Sequence, residues 1–398
     1  MINNKMKSLG KKRSVIRELF EYGKIRKREI GEENVFDFSL GNPSVPCPEK
    51  VTETLISLLQ NESAEVLHGY TSAQGDFAVR SAVSEFINKR DGVKTTPDCF
   101  YLTVGAAASL TSALTALVSP GEEVIVLAPY FPEYRVFVER CGGILREVMC
   151  ESENFYPDIA AIRDAVNEKT AAIIINSPNN PTGAVYPEDV IKELSGMLKE
   201  KEALLGKTLY LISDEPYREL VYGSAAVPFI PKYYSDTVVC YSYSKSLSLP
   251  GERIGYILVS PDMSSFEDVY ASICGAARAL GFVCAPSLMQ KALPHLLGSC
   301  SDLSVYSENR RILSDALTEY GYTVVKADGA FYLFVKAFGD NASEFAERAK
   351  EFELLLVPSD DFGYGGYVRI AYCVTTEQVK KSLPAFKKLS DAYRKENI

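Results

Sequence analysis

One lysine stands among small hydroxyl residues just after an apolar run. The stretch SYSKSLSLPGERIGY, residues 242–256, contains Lys245 between serines and Arg253 after a Pro-Gly turn. A lysine amine can hold a carbonyl compound covalently, and an arginine can pair with an anion. The stretch therefore predicts covalent chemistry at Lys245, with an anion bound close by at Arg253.

Polar residues also end other apolar runs. Runs rich in β-branched or aromatic residues finish at residues 129–130, 176–180, 214–215 and 242–245. Helix-like segments separate them, which predicts a mostly parallel sheet covered on both faces. Ligands bind beyond the carboxyl ends of such strands, so Asp214, Asn180 and Lys245 are expected to share one crevice. Turns and helix caps explain any single run equally well, but four such runs favour a site.

The stretch TVGAAASL, residues 103–110, adds a candidate phosphate site. Small residues from Gly105 onward open an apolar helix, whose first backbone N–H groups can bind a phosphate. Small residues at a helix start also serve packing alone, and the G-K-[ST] of a P-loop is missing. A strand-end lysine, a neighbouring carboxylate and a phosphate site together indicate pyridoxal 5'-phosphate (PLP). Lys245 would hold its aldehyde as a Schiff base, and Asp214 would keep its pyridine nitrogen protonated.

Composition excludes several classes of protein. The chain has 398 residues, enough for two domains, and a net charge of −9, which argues against a nucleic-acid partner. Its apolar runs fall short of the ~18 residues of a membrane span. Nine scattered cysteines without a secretory signal indicate reduced thiols in the cytoplasm. With only two histidines, neither a metal site nor Ser-His-Asp chemistry is expected.

The N-terminal segment carries many basic residues interleaved with glutamates. An arm that binds nucleic acid is one interpretation. A solvated amphipathic helix is favoured, with four apolar side chains facing the core. Those side chains are Val15, Ile16, Leu19 and Phe20, and the basic residues include Lys11, Lys12, Arg13 and Arg17.

The motifs resemble the class I/II PLP-dependent aminotransferases of fold type I, most closely the bacterial group labelled aspartate aminotransferases. The resemblance runs from about Asn34 to Tyr372. It implies an α/β fold in which residues 41–289 form a large domain with a mostly parallel, seven-stranded sheet between helices. Residues 1–40 and 290–398 would form a smaller α+β domain. It also implies a homodimer with shared active sites.

The same resemblance implies a role for each matching cofactor residue. Lys245, Asp214 and Tyr217 are the catalytic residues. Phe131 in PYFPEY stacks on the pyridine ring, and Asn180 in SPNNPTG hydrogen-bonds the ring hydroxyl together with Tyr217. The phosphate ligands are Gly105, Ala106, Ala107, Ser242, Arg253 and, from the partner subunit, Tyr70 of HGYTSAQG.

Substrate binding is implied at Gly41, Asn180 and Arg369. Gly41 belongs to the GNP loop near the substrate carboxylate, and Arg369 in GYVRIAY grips that carboxylate. A guanidinium can do so with two parallel hydrogen bonds, which fixes the direction of the substrate Cα–H bond.

The resemblance implies ping-pong transfer of an amino group from an L-amino acid, with aspartate expected, to a 2-oxoacid, with 2-oxoglutarate expected. A C–S β-lyase and an aromatic or branched-chain aminotransferase are the alternatives, since the residues near Lys245 serve all of them. Decarboxylases and racemases share this cofactor site. A non-enzymatic regulator is the remote alternative, because it needs a DNA-binding domain ahead of Gly41.

Overall fold

The computed structural model of the chain describes residues 2–11, 14–339 and 341–396. Lys12 and Arg13 lie outside the described residues. The α-helices are α1 Asn4–Lys11, α2 Val15–Ile30, α3 Glu49–Asn61, α4 Ala64–His68, α5 Phe77–Asp91, α6 Ala106–Leu117, α7 Glu133–Arg140, α8 Ile159–Ala165, α9 Glu188–Leu205, α10 Tyr243–Ser246, α11 Phe266–Ala279, α12 Ser287–Leu296, α13 Ser304–Glu319, α14 Ala342–Ala349 and α15 Thr376–Lys395. The strands are β1 Phe36–Asp37, β2 Phe100–Thr103, β3 Glu123–Ala128, β4 Ile144–Met149, β5 Thr170–Asn176, β6 Tyr210–Asp214, β7 Thr237–Ser242, β8 Gly255–Val259, β9 Tyr332–Lys336, β10 Leu354–Leu355, β11 Val357–Pro358 and β12 Tyr367–Ala371.

A seven-stranded sheet lies at the centre of the described residues, in the order β2-β8-β7-β6-β5-β3-β4. The pairs from β7 through β4 are parallel, and β8 runs antiparallel to both of its neighbours. Strands β5 and β7 are buried along their whole length, which explains their continuous apolar sequences. The predicted mostly parallel α/β sheet is confirmed.

Helices cover both faces of this sheet. On β3, Val124 and Val126 pack with α6 and α11, while Ile125 and Leu127 pack on the opposite face with α9. This alternation follows from the two-residue period of a strand. The helices leave the carboxyl ends of β5, β6 and β7 free to carry functional loops.

A second core lies around a three-stranded antiparallel sheet in the order β11-β12-β9. Strand β1 pairs in parallel with β10, so the first 40 residues join the C-terminal part of the chain. The boundaries 41–289, 1–40 and 290–398 stay a prediction, and the packing crosses them: Val45, Tyr217 and Tyr222 lie in the second core, and Leu293 and Leu296 pack with β2 and β8. This second sheet carries Arg369 on β12.

Helix α2 is the amphipathic helix expected from the N-terminal sequence. Ser14 caps it, and Leu19 is buried against Val357 and Phe362, with Val15 and Ile16 packed partly against the same cluster. Phe20 instead lies under the Lys24 ammonium, 4.4 Å away. The helix therefore covers the end of the second sheet that approaches Arg369. A search of the described helices found none with the length and apolar character needed to cross a membrane.

Candidate active site

The carboxyl ends of β5, β6 and β7 bring three predicted residues together. Parallel pairing puts Asn176 beside Asp214 and Asp214 beside Cys240, two residues before Ser242. The Asn176 side chain fixes the two loops, because its amide donates to the Asp214 carbonyl at 2.8 Å and its oxygen accepts from the Asn180 N–H at 2.8 Å. Asn180, Asp214 and Lys245 therefore follow adjacent strand ends at one edge of the sheet, and their shared role in a site stays a prediction.

Asp214 is buried with one carboxylate oxygen satisfied and the other without a partner. Tyr134 donates its hydroxyl to Oδ2 at 2.6 Å, whereas Oδ1 has no hydrogen bond. Burial raises the pKa of the Asp214 carboxyl to about 7, against the opposing effect of the Tyr134 hydrogen bond. A buried, unpartnered carboxylate oxygen is costly to the fold, so it indicates a place where a cationic N–H binds.

Lys245 lies on the short helix α10, directly after β7. Its Nζ donates to the Gly41 carbonyl at 2.8 Å and lies 5.5 Å from the centre of the Phe331 ring. Burial, together with the charges of Arg253 and Arg369, lowers the pKa of the Lys245 ammonium to about 8. A lysine whose pKa is lowered toward neutrality can act as a nucleophile and as a base.

Tyr217 and Asn180 each carry a group that can donate a hydrogen bond. The Tyr217 hydroxyl lies 2.8 Å from the Tyr332 hydroxyl, and both rings are buried. The Asn180 side-chain oxygen accepts from Arg369 Nη1 at 3.0 Å, which leaves its NH₂ group to donate elsewhere. Both residues can therefore hydrogen-bond an acceptor oxygen in the crevice.

The predicted phosphate residues other than Tyr70 lie close together on one surface. Gly105 precedes α6 with a φ of +89°, and a Cβ built on it would lie 2.5 Å from Arg253 Nη2. Only glycine fits this close approach, which brings the guanidinium beside the first N–H groups of α6 at Ala106 and Ala107. Ser242 caps α10 by accepting from the Ser244 N–H at 3.1 Å.

Ser244 also belongs to this surface. Its hydroxyl accepts from Arg253 Nη1 at 3.4 Å and lies 2.6 Å from that of Ser242. The sequence signal was present in the run of serines around Lys245, but it did not separate a ligand from a turn residue.

Arg369 projects from β12 into the same crevice and is almost fully buried. Its Nη2 donates to the Ser39 carbonyl at 2.5 Å, and its Nε has no partner. The guanidinium lies between two rings, 4.6 Å from the centre of Tyr332 and 5.2 Å from that of Phe362. Such a cation, with donors unspent and away from water, suits a carboxylate.

The contacts of three further predicted residues within this chain differ from the roles that the resemblance implies for them. Phe131 packs edge-on against Tyr134 at 5.7 Å, next to Asp214, and Gly41 supplies a carbonyl to Lys245. Tyr70 is 91% exposed and does not join the other residues within this chain. Its predicted role belongs to a neighbouring subunit and stays a prediction.

The sequence reasoning missed Tyr134 and Tyr332. Tyr134 stands three residues after Phe131, one helical turn away, and that spacing could have indicated it. Tyr332 in GAFYLF reads as an ordinary strand residue. Within the described part of the chain, no three side chains of His, Cys, Asp or Glu are placed to hold a metal ion.

The comparisons with known proteins agree with this geometry. The family described as Aminotransferase class I and II matches residues 33–386. The aspartate/prephenate aminotransferase of Thermus thermophilus is 31% identical over 356 residues, which cover 87% of this chain and 88% of that protein.

Two solved structures show the same likeness. A crystal structure of an amino transferase from Eubacterium rectale has 51% identity and a TM-score of 0.97, and the match covers 99% of each chain. The aspartate aminotransferase of Thermus thermophilus with maleate has 27% identity and a TM-score of 0.86, covering 98% of this chain and 99% of that one. The predicted family and fold class are confirmed.

Proposed function

The chain belongs to the aminotransferase class I and II family, and from this premise we propose that it is a PLP-dependent enzyme which moves the amino group of L-aspartate to 2-oxoglutarate. The names of its relatives support aspartate as the donor. The unpartnered Oδ1 of Asp214 carries the proposal, because it is a buried acceptor at the adjacent strand ends that also lead to Asn180 and Lys245.

The residues of the crevice fit PLP. Asp214 Oδ1 would accept from the protonated pyridine nitrogen, and the positive nitrogen would in turn favour the ionised carboxylate. When bound, PLP supplies an electron sink for the pair left at the substrate Cα when its proton is removed. Tyr217 and Asn180 would donate to the ring oxygen, and Phe131 would pack on the ring face.

The phosphate would occupy the surface formed by the start of α6, the two serines and Arg253. Backbone N–H groups at Gly105, Ala106 and Ala107 and the positive end of α6 favour an anion there. Arg253 offers a planar fork of donors beside them, at the contact distance that Gly105 permits. Ser242 completes the set of donors.

Lys245 would move the proton in the chemical step. Its lowered pKa of about 8 leaves a useful fraction of the amine neutral near neutral pH, and a neutral amine can take the proton from the substrate Cα. General acid–base catalysis of this kind contributes roughly 10²–10⁴-fold to a rate. The hydrogen bond to the Gly41 carbonyl holds the amine in place until it reacts.

Arg369 would hold the substrate α-carboxylate. Its side chain is fixed by Ser39, Asn180 and two aromatic rings, so little conformational entropy remains to be lost when a carboxylate binds. A fixed carboxylate orients the Cα–H bond toward Lys245, which is the arrangement a proton transfer needs.

The proposal includes a homodimer with shared active sites in a reducing compartment such as the cytoplasm. Tyr70 and Phe77 are 91% and 62% exposed, and large apolar side chains at Leu59 and Val283 are exposed as well. These are side chains that a partner subunit would be expected to cover. All nine cysteines are free thiols.

Mixing two inactive variants tests the shared site. A dimer of K245A lacks the amine, and a dimer of Y70A lacks the expected phosphate contact across the interface. If Tyr70 of the partner subunit completes each site, subunits exchanged after mild denaturation should recover about a quarter of the wild-type activity, since half of the dimers are mixed and each has one intact site. If no activity is recovered, the proposal that two subunits share each active site is wrong.

Absorbance spectroscopy tests the function itself. The purified protein is loaded with PLP, and its visible band is followed after addition of excess L-aspartate. We expect the band to convert to that of the aminated cofactor with release of oxaloacetate, and 2-oxoglutarate should restore it. A K245A variant is the matched control and should lack the band.

Other outcomes separate the alternatives. A band that persists with aspartate but converts with aromatic or branched donors would keep the aminotransferase and change the donor. Release of pyruvate and a thiol from a cysteine conjugate, with no amination of the cofactor, would indicate a C–S β-lyase. No visible band after PLP is added would overturn the assignment of Lys245.

A further inference from the structure

Tyr332 contacts several residues of the candidate active site, although its sequence context indicates only a strand residue. Its hydroxyl lies 2.8 Å from that of Tyr217, and its ring lies 4.6 Å from the Arg369 guanidinium. A Cβ on Gly41 would overlap the Tyr332 hydroxyl, so the loop that accepts from Lys245 passes directly over it. The phenol is only 2% exposed.

The strand register explains how one ring reaches Arg369. Tyr332 pairs with Ala371 on the antiparallel neighbour β12, and Arg369 is two residues before Ala371. Residues two apart on a strand share a face, so Tyr332 and Arg369 are diagonal neighbours on the same side of the sheet. The guanidinium consequently lies over the Tyr332 ring as a cation–π pair.

Counting protons assigns a direction to the Tyr217–Tyr332 hydrogen bond. A tyrosine hydroxyl has one proton to donate and two lone pairs. If Tyr217 donates to the cofactor ring oxygen, its proton is spent, and the short contact can be a hydrogen bond only if Tyr332 donates.

We propose that Tyr332 is a positioning residue that couples the two ends of the site: it donates to Tyr217, which strengthens the hydrogen bond to the ring oxygen, and its ring orients Arg369 for the substrate carboxylate. The inference rests on the proposed function and deepens it. Hydrogen bonds in a chain polarise one another, so loss of the Tyr332 hydroxyl weakens the donor strength of Tyr217.

A spectral titration of the PLP-loaded protein tests the hydroxyl. The visible band changes with pH as the nitrogen bonded to the cofactor loses its proton, and donors to the ring oxygen lower the midpoint. In Y332F the midpoint should rise by about half a pH unit, a fraction of the free energy of one hydrogen bond. Y222F is the matched control, since the Tyr222 hydroxyl is buried nearby and donates to the Ala330 carbonyl at 2.6 Å.

A double-mutant cycle with Tyr217 locates the effect. In Y217F the midpoint should rise by more than in Y332F, and adding Y332F to Y217F should cause no further rise, because the path to the ring oxygen is already cut. An equal rise in both backgrounds would mean that Tyr332 acts elsewhere and would overturn the inference. An unchanged Y332F midpoint, or an equal shift in Y222F, would overturn it as well.

The ring is tested through the kinetic constants. Y332F keeps the ring, so KM for the amino donor should stay near the wild-type value while kcat falls. Y332L removes the ring and should raise KM roughly twofold to thirtyfold, the range for a lost cation–π contact. An unchanged KM in Y332L would contradict the proposal that the Tyr332 ring orients Arg369. Thermal unfolding of each variant verifies that it is folded.

The outcomes also distinguish this inference from the proposed function. If the wild-type protein shows no visible band with added PLP, the proposed function fails and the inference fails with it. If the wild-type band appears and aspartate or another donor converts it, but Y332F titrates as wild type, only the role of Tyr332 is wrong.

Discussion

Two consecutive carboxylates, Asp214 and Glu215, are both buried and are treated by the fold in opposite ways. Asp214 keeps one oxygen without a hydrogen bond. Glu215 has both oxygens satisfied, one by the Ser213 hydroxyl at 2.8 Å and the other by Arg218 Nη1 at 2.8 Å. The strand pleat points consecutive side chains to opposite sides, so one carboxylate meets the crevice and the other meets the scaffold.

The surroundings of Glu215 form a closed network of charges. Arg218 also contacts Asp91 at 3.4 Å and donates to the Val227 carbonyl at 3.0 Å, and Arg90 pairs with Asp91 at 2.7 Å. Around Asp214 a single tyrosine is the partner. The difference teaches that burial of a charge does not by itself identify a functional group, and that a missing partner at the strand ends beside Asn180 and Lys245 marks Asp214 as a candidate.

Replacing Glu215 should have the largest effect on stability. Glu215→Gln leaves the Arg218 charge buried beside a neutral amide, and breaking a buried ion pair in this way costs about 3–5 kcal/mol. Urea unfolding measures the loss. The control is Glu188→Gln, whose exposed pair with Lys192 should leave the unfolding midpoint unchanged. If both variants unfold at the same urea concentration, the charge network around Glu215 does not stabilise the fold.

Replacing Asp214 should affect activity and spare stability. Asp214→Asn removes the negative charge that would face the pyridine nitrogen, and losing one such electrostatic group costs roughly 10²–10³-fold in kcat. The apoprotein should unfold at the wild-type urea concentration or above it, because an unpartnered buried carboxylate disappears. A loss of stability comparable to that of Glu215→Gln would mean that Asp214 and Glu215 both stabilise the fold, contrary to the contrast between the two carboxylates.

The pH dependence of the apoprotein sharpens the same comparison. Unfolded, the Asp214 carboxyl ionises near pH 3.9, whereas burial raises its pKa in the fold to about 7. The folded state therefore binds the extra proton, and this contribution to stability, present below about pH 4, is lost as the pH rises to about 7. The free energy of unfolding of the wild type minus that of Asp214→Asn, measured by urea titration, should fall by about 3 kcal/mol over this pH range. A difference that does not vary with pH would contradict the raised pKa.

Removing the Tyr134 hydroxyl should have the smallest effect. In Tyr134→Phe the hydrogen bond to Asp214 Oδ2 is lost, so the ionised carboxylate is less favoured and kcat should fall by about tenfold, the value of one hydrogen bond to a charged group. Tyr234→Phe serves as the control, since the Tyr234 hydroxyl donates to the Leu209 carbonyl far from the crevice. Equal losses of activity in both variants would mean that the Tyr134 hydroxyl has no specific role in catalysis.

Much of the sheet could be predicted from the sequence because local signals agree with the fold. Strands β5, β6 and β7 are continuous apolar runs that end in polar residues, and parallel pairing then brings those ends to one edge. The antiparallel direction of β8 was not predictable, because Gly255–Val259 reads like its buried neighbours. Direction depends on the connection through Arg253, not on the composition of the strand.

The aromatic partners escaped prediction for a different reason. Tyr332 is 115 residues from Tyr217, and nothing local to either indicates that their hydroxyls meet. Glu215 was read together with Asp214 as one polar strand end. The two-residue period of a strand could have separated them, but only the packed structure shows that the partner of Glu215 is Arg218.

The hydrogen bonds of Arg369 have a consequence for the synthesis of the chain. Asn176 and Asp214, at the strand ends of the large sheet, are 38 residues apart, whereas Arg369 reaches Asn180 across 189 residues and Ser39 across 330. Domains fold on the ribosome as their residues emerge, and contacts between distant residues form late. The Asn176–Asp214 contact can thus form on a nascent chain from which Arg369 has not yet emerged, whereas Ser39 meets its partner only after all the residues between them have been translated.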